Sequence, residues 1–333
     1  MVLEAVIQTY VATAQPAGSR QLARRFNFGV SPATIRNTMS DLEEKGYLFH
    51  PHTSAGRVPT DVAYRVYVDS ILPAHSFTTT ERDRLALQIS GGGSAVETIL
   101  RRAAQSLGII TQELGVALGP SFDASRLDRI ELVRLASDRL LVVLSVQGGG
   151  VRTIYVDARG EVADEAIAEV SRVLNERLGG LTLREVRSTL AQRLRDTPAG
   201  AAELINIFVE EGEHIFDVAL DSANDVMLGA ASVLAEQPEF ASADSMRRLV
   251  ALTETRHYLA EVLRKRSDSS GVSITIGNEH DDPALENFTL VTAQYRGGAL
   301  NGVIGVIGPT RMPYDKVISL VAHTSQLVTG LVD

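Results

Sequence analysis

The sequence predicts a multidomain α+β fold that opens in a winged helix-turn-helix, and three observations predict it. Its 333 residues exceed what one domain ordinarily holds, so two or three domains are expected. Three short helical stripes, a glycine-containing turn and a fourth helix fill residues 1–75. Beyond them, alternating apolar runs are interleaved with runs of helical period.

The elements follow in order. Leu3, Val6, Ile7, Tyr10 and Val11 recur at helical spacing, and Pro16 and Gly18 end that helix. Ser19 stands where an N-cap belongs, before a short second helix, Arg20 to Phe26. Ser31-Pro32 is an N-cap followed by proline at the first helical position. It opens a third helix whose buried stripe is Ile35, Met39 and Leu42, closed by Gly46 as a left-handed cap. Tyr47–His50 is a strand candidate, 51–59 an exposed loop, and Thr60 the cap of a fourth helix running to Leu72. Residues 73–95, with a triple glycine, read as a linker holding a polar helical stretch at 80–89.

A helix over 96–109 and a strand near 114–118 come next. Strands at 130–135, 140–146 and 151–156 form an antiparallel meander. Three helices follow: one carrying Ile167, Val170, Leu174 and Leu178 and stopping at Gly179, one opening with the capping box Thr182/Glu185, and one over 201–217. Val226–Leu234 reads as a strand and 244–266 as one long helix with Arg264-Lys265-Arg266 at its C-terminal end, favourable to the helix dipole. Strands at 273–276, 289–295 and 303–307 and a helix at 314–331 close the chain.

Hydrophobic residues make up 44 % and charged residues 22 %, ordinary for a globular protein with a large core. There is no cysteine, which excludes disulfides, thiolate metal sites and cysteine nucleophiles. No apolar run reaches a bilayer span. The N-terminus, with Glu4 early, lacks the basic-then-apolar order of a secretory signal. A reducing, cytoplasmic location is expected. The net charge of −9 argues at first against nucleic acid, but its distribution matters more. Residues 1–75 hold Arg20, Arg24, Arg25, Arg36, Lys45, Arg57 and Arg65 against Glu4, Asp41, Glu43, Glu44, Asp61 and Asp69. This segment is slightly positive and the remainder carries the acid.

In a helix-turn-helix the second helix of the motif enters the major groove. Here that is 32–45. With Ile35, Met39 and Leu42 inward, the outer face carries Ala33, Arg36, Asn37 and Ser40, flanked by Thr34 and Thr38. Arginine can bond guanine bidentately, asparagine can bond adenine, and serine or threonine serves either role. Thr34, Arg36, Asn37 and Ser40 are therefore the base-reading candidates. Ser19, Arg20, Arg24, Arg25 and Ser31 are candidates for phosphate contacts. The loop with His52, Ser54, Gly56 and Arg57 is the candidate wing, Gly56 permitting a close approach and Arg57 reaching a minor groove. A solvated amphipathic helix pair in an unrelated helical domain would carry many of the same residues.

At these residues the chain resembles the HrcA family, heat-inducible transcription repressors of bacteria. The resemblance rests on Gly-Ser-Arg-Gln-Leu-Ala-Arg-Arg-Phe at 18–26, the run from Val30 to Leu48, and Pro-His-Thr-Ser-Ala-Gly-Arg-Val-Pro-Thr-Asp at 51–61. Tyr-Arg-Val-Tyr-Val-Asp-Ser at 64–70, Ile-Gly-Asn-Glu at 276–279, Leu-Val-Thr-Ala-Gln-Tyr at 290–295 and Gly-Val-Ile-Gly-Pro-Thr-Arg-Met at 305–312 continue it, followed by Tyr314. It spans nearly the whole chain and is weakest in the middle. It implies a winged-helix DNA-binding domain at 1–75, a linker at 76–95, a GAF-like α/β domain at 96–122 and 223–333, and an inserted α+β dimerising domain at 123–222. It also implies a homodimer on an inverted repeat called CIRCE upstream of chaperone operons, with the GroEL chaperonin keeping the repressor active. Relatives carry several more polar residues before the first helix, so that helix is expected to be short by roughly one turn.

A GAF-like domain invites an alternative: a winged-helix regulator gated by a small-molecule effector near Gly302, Gly305 and Gly308. The plainer reading is that these glycines thin a strand for packing, since fold alone does not give a ligand. An enzyme finds no support. His50 and His52 flank the wing without the acids or cysteines of a metal site, and Asp281-Asp282 read as a solvated loop pair. Gly-Pro-Thr-Arg at 308–311 lacks the lysine and spacing of a phosphate loop. No catalytic residue, metal ligand or cofactor is expected.

Overall fold

The computed structural model describes residues 1–51, 56–71, 85–89, 96–121, 125–147, 151–158, 160, 162–195, 202–216, 226–267, 271–297 and 300–332. The chain divides into two compact units. The first comprises Met1–Gly119, Val226–Tyr295 and Val303–Val332; the second comprises Pro120–Asp225, Arg296–Gly302 and the last residue.

The first unit begins with α1 (Val2–Thr13), α2 (Ser19–Arg25) and α3 (Pro32–Glu44). Two short strands follow, β1 (Leu48–Phe49) and β2 (Val58–Pro59), paired antiparallel with Leu48 opposite Pro59, then α4 (Asp61–Ile71). Local chemistry sets these boundaries. The Ser31 hydroxyl accepts from the Thr34 amide at 3.1 Å with Pro32 at the first helical position. At the other end of α3, Gly46 adopts φ +77° while its amide and that of Tyr47 donate to Glu43 and Leu42. Thr60 ties α4 to this turn by donating to the Gly46 carbonyl at 2.8 Å. Ala5, Val6, Ala17, Leu22, Ile35, Met39 and Leu48 form the small core of this helical module.

The rest of the unit is a five-stranded sheet ordered β7 (Val226–Leu228), β3 (Leu114–Ser121), β10 (Leu300–Pro309), β9 (Phe288–Gly297) and β8 (Val272–Ile276). β3–β7 and β8–β9 pair antiparallel. Both faces are covered, which is why β9 is buried at nearly every position. One face packs on the helices Val96–Thr111 and Tyr314–Val332, whose apolar stripes include Leu100, Leu107, Val317 and Val321. The other packs on Ala243–Glu254 and Arg256–Arg264 through Leu249, Leu252, Leu259 and Leu263. The helical module joins the first of these cores directly: Ile7 of α1 and Ala63, Tyr64 and Val68 of α4 belong to the same buried cluster as Ile276, Tyr314 and Ile318. Leu85 and Ile89, on the helical stretch at 85–89, lie in it too.

The second unit is an antiparallel meander of β4 (Leu127–Ala136), β5 (Arg139–Val146) and β6 (Val151–Asp157) covered on one face by helices. Ile130, Leu140, Val142, Leu144 and Val156 meet Val170, Leu174, Leu178, Val186, Leu190 and Phe208 there. Asn175 pins helix Asp164–Leu178 to β4, donating to the Ile130 carbonyl at 2.7 Å and accepting from its amide at 2.8 Å. The Thr182/Glu185 capping box opens helix Leu183–Arg193 as its sequence predicts.

Three elements differ from the sequence expectation. Strand pairing beyond Val226–Leu228 stops at Gly229, and Ser232–Ala235 is a short helix. The expected helix 244–266 is two helices, broken at Thr255 (ψ 64°), whose hydroxyl bonds back to the Ala251 carbonyl at 2.8 Å. The expected helix 201–217 is interrupted between Glu210 and Gly212, glycine being a poor helix former. The triple-glycine turn at 148–150 and most of 73–95 lie outside the described residues.

Candidate nucleic-acid interface

α3 presents two faces. Ile35 and Met39 are buried and Leu42 packs behind them, while Thr34, Arg36 and Asn37 are exposed and Ser40 is half-buried. The face is partly pre-ordered by its own cap: the hydroxyls of Ser31 and Thr34 lie 3.0 Å apart, and Thr38 donates to the Thr34 carbonyl. Arg36 and Asn37 project without a hydrogen-bond or ion-pair partner among the described residues, so their donors are available to a ligand.

α2 lies against α3. Its N-cap is Gly18, with Ser19 as the first helical residue, and the Gln21 side chain accepts from the Gly18 amide. This corrects the expected cap at Ser19, which is half-buried. Arg20, Arg24 and Arg25 are exposed, Arg25 leaning over the Phe26 ring at 5.5 Å. Among the described residues, Arg20, Arg24, Arg36 and Lys45 have no acidic partner, whereas Arg57 and Arg65 do. The uncommitted cations of the module therefore fall on α2 and α3.

Arg57 differs from its reading as a groove-reaching wing residue. Its side chain is only 12 % exposed and its guanidinium meets Glu43 at 2.7 Å. Its backbone bridges Ala17 in both directions at 2.9 Å. Gly56 sits so close to this strand that an added Cβ would fall 2.3 Å from the Ala17 carbonyl oxygen. Glu43 also accepts from His50 Nδ1 at 2.9 Å. The acid at the end of α3 is thus paired with the residues just after β1 and just before β2. His52 and Ser54 lie outside the described residues.

Gly305 and Gly308 of β10 are used by packing. A Cβ on Gly305 would fall 2.1 Å from the Val291 carbonyl, and one on Gly308 would fall 2.0 Å from a carboxylate oxygen of Glu113. Glu113 is 2 % exposed and its carboxyl lies well above the ordinary range. Burial is the main cause, opposed by the hydrogen bond from Gln237 and by Arg311. Arg266, read from sequence as part of a helix-end charge cluster, turns inward to the hydroxyls of Ser273 and Thr275, and burial lowers its pKa to about 10.

Sequence reasoning missed the contacts that join the helical module to the sheet, because their partners are more than 200 residues apart. Arg65 donates through Nε to Glu279 at 2.6 Å, through Nη2 to the same carboxylate at 2.5 Å, and to the Ile274 carbonyl at 2.9 Å. Asp61 accepts from the Asn278 amide at 3.0 Å and side chain at 2.9 Å. Arg311 forms a two-pronged pair with Glu239 and donates to the Val11 carbonyl at 2.8 Å.

The chain is similar to proteins of one family over nearly its whole length. A family model described as the HrcA protein C-terminal domain matches residues 97–318. The chain is 42 % identical to a protein of Chlorobium phaeobacteroides (strain BS1) named heat-inducible transcription repressor HrcA, over 97 % of this chain and 94 % of that one. It is 36 % identical to a protein of the same name from Geobacter sulfurreducens, covering 100 % of this chain and 97 % of the relative. Among solved structures, one described only as a hypothetical protein has the same fold, with a TM-score of 0.60, 21 % identity, and coverage of 99 % of this chain and 96 % of the other.

Proposed function

The chain belongs to the HrcA family of heat-inducible transcription repressors, and we propose that it represses heat-shock chaperone operons by binding the CIRCE inverted repeat as a homodimer. The observation that carries this reading is the α3 face, with Thr34, Arg36 and Asn37 exposed beside the uncommitted Arg20 and Arg24 of α2. In this reading 1–75 is a winged-helix domain. Arg36 and Asn37 read base edges, with Thr34 and Ser40 at the margin, while Ser19, Arg20, Arg24, Arg25 and Ser31 set the register on phosphates. Arg57 serves the wing by anchoring its base to Glu43, and His52 and Ser54 are further candidate contacts to DNA. The five-stranded sheet is the GAF-like domain, and GroEL sustains the repressor's activity.

A two-fold operator calls for a two-fold protein, and the second unit supplies a surface for it. The outer face of its meander carries Val133 (44 % exposed), Val151 (65 %) and Tyr155 (69 %). Val133, Leu141 and Tyr155 stand in one cross-strand row. Apolar side chains aligned this way suit burial against a second copy. We take 123–222 as the dimerising insert on this ground.

Footprinting on a DNA fragment bearing CIRCE tests the proposal. Protection of both arms of the repeat is expected. Protection absent, or spread evenly over any fragment, would overturn it.

A further inference from the structure

Two arginine clasps join the helical module to the rest of its unit, one at α1 and one at α4. At α1, the last turn contains no basic residue of its own, although helix C-terminal carbonyls favour a cation. Arg311 supplies it from the far end of the chain, donating to the Val11 carbonyl while Glu239 holds its other edge. At α4, Arg65 clasps Glu279 with two donors and reaches the Ile274 carbonyl with one of them. Beside it, Asp61 accepts twice from Asn278. The turn bearing Asn278 approaches so closely that Gly277, at φ +49°, has no space for a side chain: a Cβ would lie 2.2 Å from the Asp61 carboxylate. Tyr64 of α4 is buried and packs on Tyr314, ring centroids 5.6 Å apart.

These contacts use α1 and α4 only. The α3 face, with Arg36 and Asn37, remains exposed while both clasps are closed. The docking therefore orients the reading face and does not cover it. Bidentate guanidinium–carboxylate pairs fix direction as well as distance, which an apolar seam alone does less well. Glu279 lies below the ordinary carboxylate range: burial pushes it up, and the hydrogen bonds from Arg65 and the Ile276 amide more than offset that.

We propose that Arg65 and Arg311 are positioning residues for DNA reading, holding each protomer's α3 at a fixed orientation on the sheet so that the separation of the two operator arms is measured by the protein. This rests on the repressor reading above. A reader whose two modules swing freely gains the second arm weakly and over a range of spacings, whereas a rigid one gains it most at the one spacing that it matches.

The test uses the full chain and the variants Arg65→Gln and Arg311→Gln. Because the chain lacks cysteine, Glu44→Cys and Arg247→Cys introduce the only two thiols for spin labels, and dilution with unlabelled protein isolates the distance within one protomer. A narrow distance distribution is expected in the parent and a broadened or second distribution in each variant, with helix content kept. Unchanged distributions in both variants would overturn the proposal without reference to DNA. On DNA, each variant should lose about tenfold or more on the two-arm repeat, stay within about twofold of the parent on a one-arm duplex, and tolerate altered arm spacing. Equal losses on both duplexes, or none, would overturn the role in reading spacing. A parent that fails to prefer the repeat would instead count against the repressor reading, while the label distances still decide the clasp.

Discussion

Glu43 and Arg57 meet at 2.7 Å between the last turn of α3 and the residue just before β2, and the same carboxylate accepts from His50, the residue just after β1. One acid therefore ties the hairpin to α3, the helix proposed to read bases. The Arg57 side chain is 12 % exposed and its Nε has no partner of its own, so removing Glu43 strands a nearly buried cation. Glu43→Ala should destabilise the chain by about 1–3 kcal/mol, measured by urea denaturation. An effect within a few tenths of a kcal/mol would mean that the pair does not hold the hairpin.

Arg36 is exposed on α3 with no intramolecular partner among the described residues. Arg36→Ala should leave folding intact and cost roughly 1–3 kcal/mol of operator affinity, relaxing base preference at one position in each arm. Selection from a randomised operator library checks this. Wild-type affinity and selectivity in the variant would reject the assignment of the α3 face.

Glu113 gives a pH signature. Its carboxyl is raised in the fold by burial, so its protonated form is the one that the fold favours. The contribution is fully present below the unfolded value of about 4.5 and declines as pH rises through the folded value. Glu113→Gln keeps the shape and removes the ionisation. Its melting temperature should match the parent near pH 4.5 and exceed it increasingly toward pH 8. A constant difference across that range would contradict the account.

Gly308 faces the same carboxylate. Gly308→Ala forces a methyl group into space held by Glu113, and overpacking of this kind costs about 1–3 kcal/mol. If β10 used this glycine for a bound effector instead, the alanine variant would fold normally and lose only the effector response. Calorimetry on the two proteins separates these outcomes.

The outer face of the meander predicts the assembly. Tyr155 is 69 % exposed, so Tyr155→Lys should change the stability of a single chain by no more than about 0.5 kcal/mol. On a dimer interface it should shift sedimentation toward monomer, as should deletion of 123–222. An intact dimer in both proteins would reject the insert as the dimerising part.

Much of the local structure is legible in the sequence because its causes are local. Ser31-Pro32, Gly46, Thr60 and the Thr182/Glu185 box each act within a few residues, and each cap forms where its residue types place it. The break at Thr255 is illegible for the converse reason: apolar spacing continues through it, and the change lies in the backbone of one residue, Thr255 at ψ 64°. Arg57 looks like a free wing cation until Glu43, fourteen residues earlier, is folded against it. Arg65 and Glu279, or Arg311 and Val11, carry no sequence signal of contact, since a charge on a helix face is ordinarily solvated. The exposed residues of α3 were readable because the helix period alone decides which side chains face inward.

The central claim is sequence-specific DNA binding through α2 and α3, and titration of a labelled CIRCE duplex against a scrambled duplex across a salt series tests it most directly. The account predicts selective binding to CIRCE whose logarithm falls linearly with the logarithm of salt, because Arg20, Arg24 and their neighbours displace counterions from phosphates. Equal, weak binding to both duplexes at every salt concentration would contradict it.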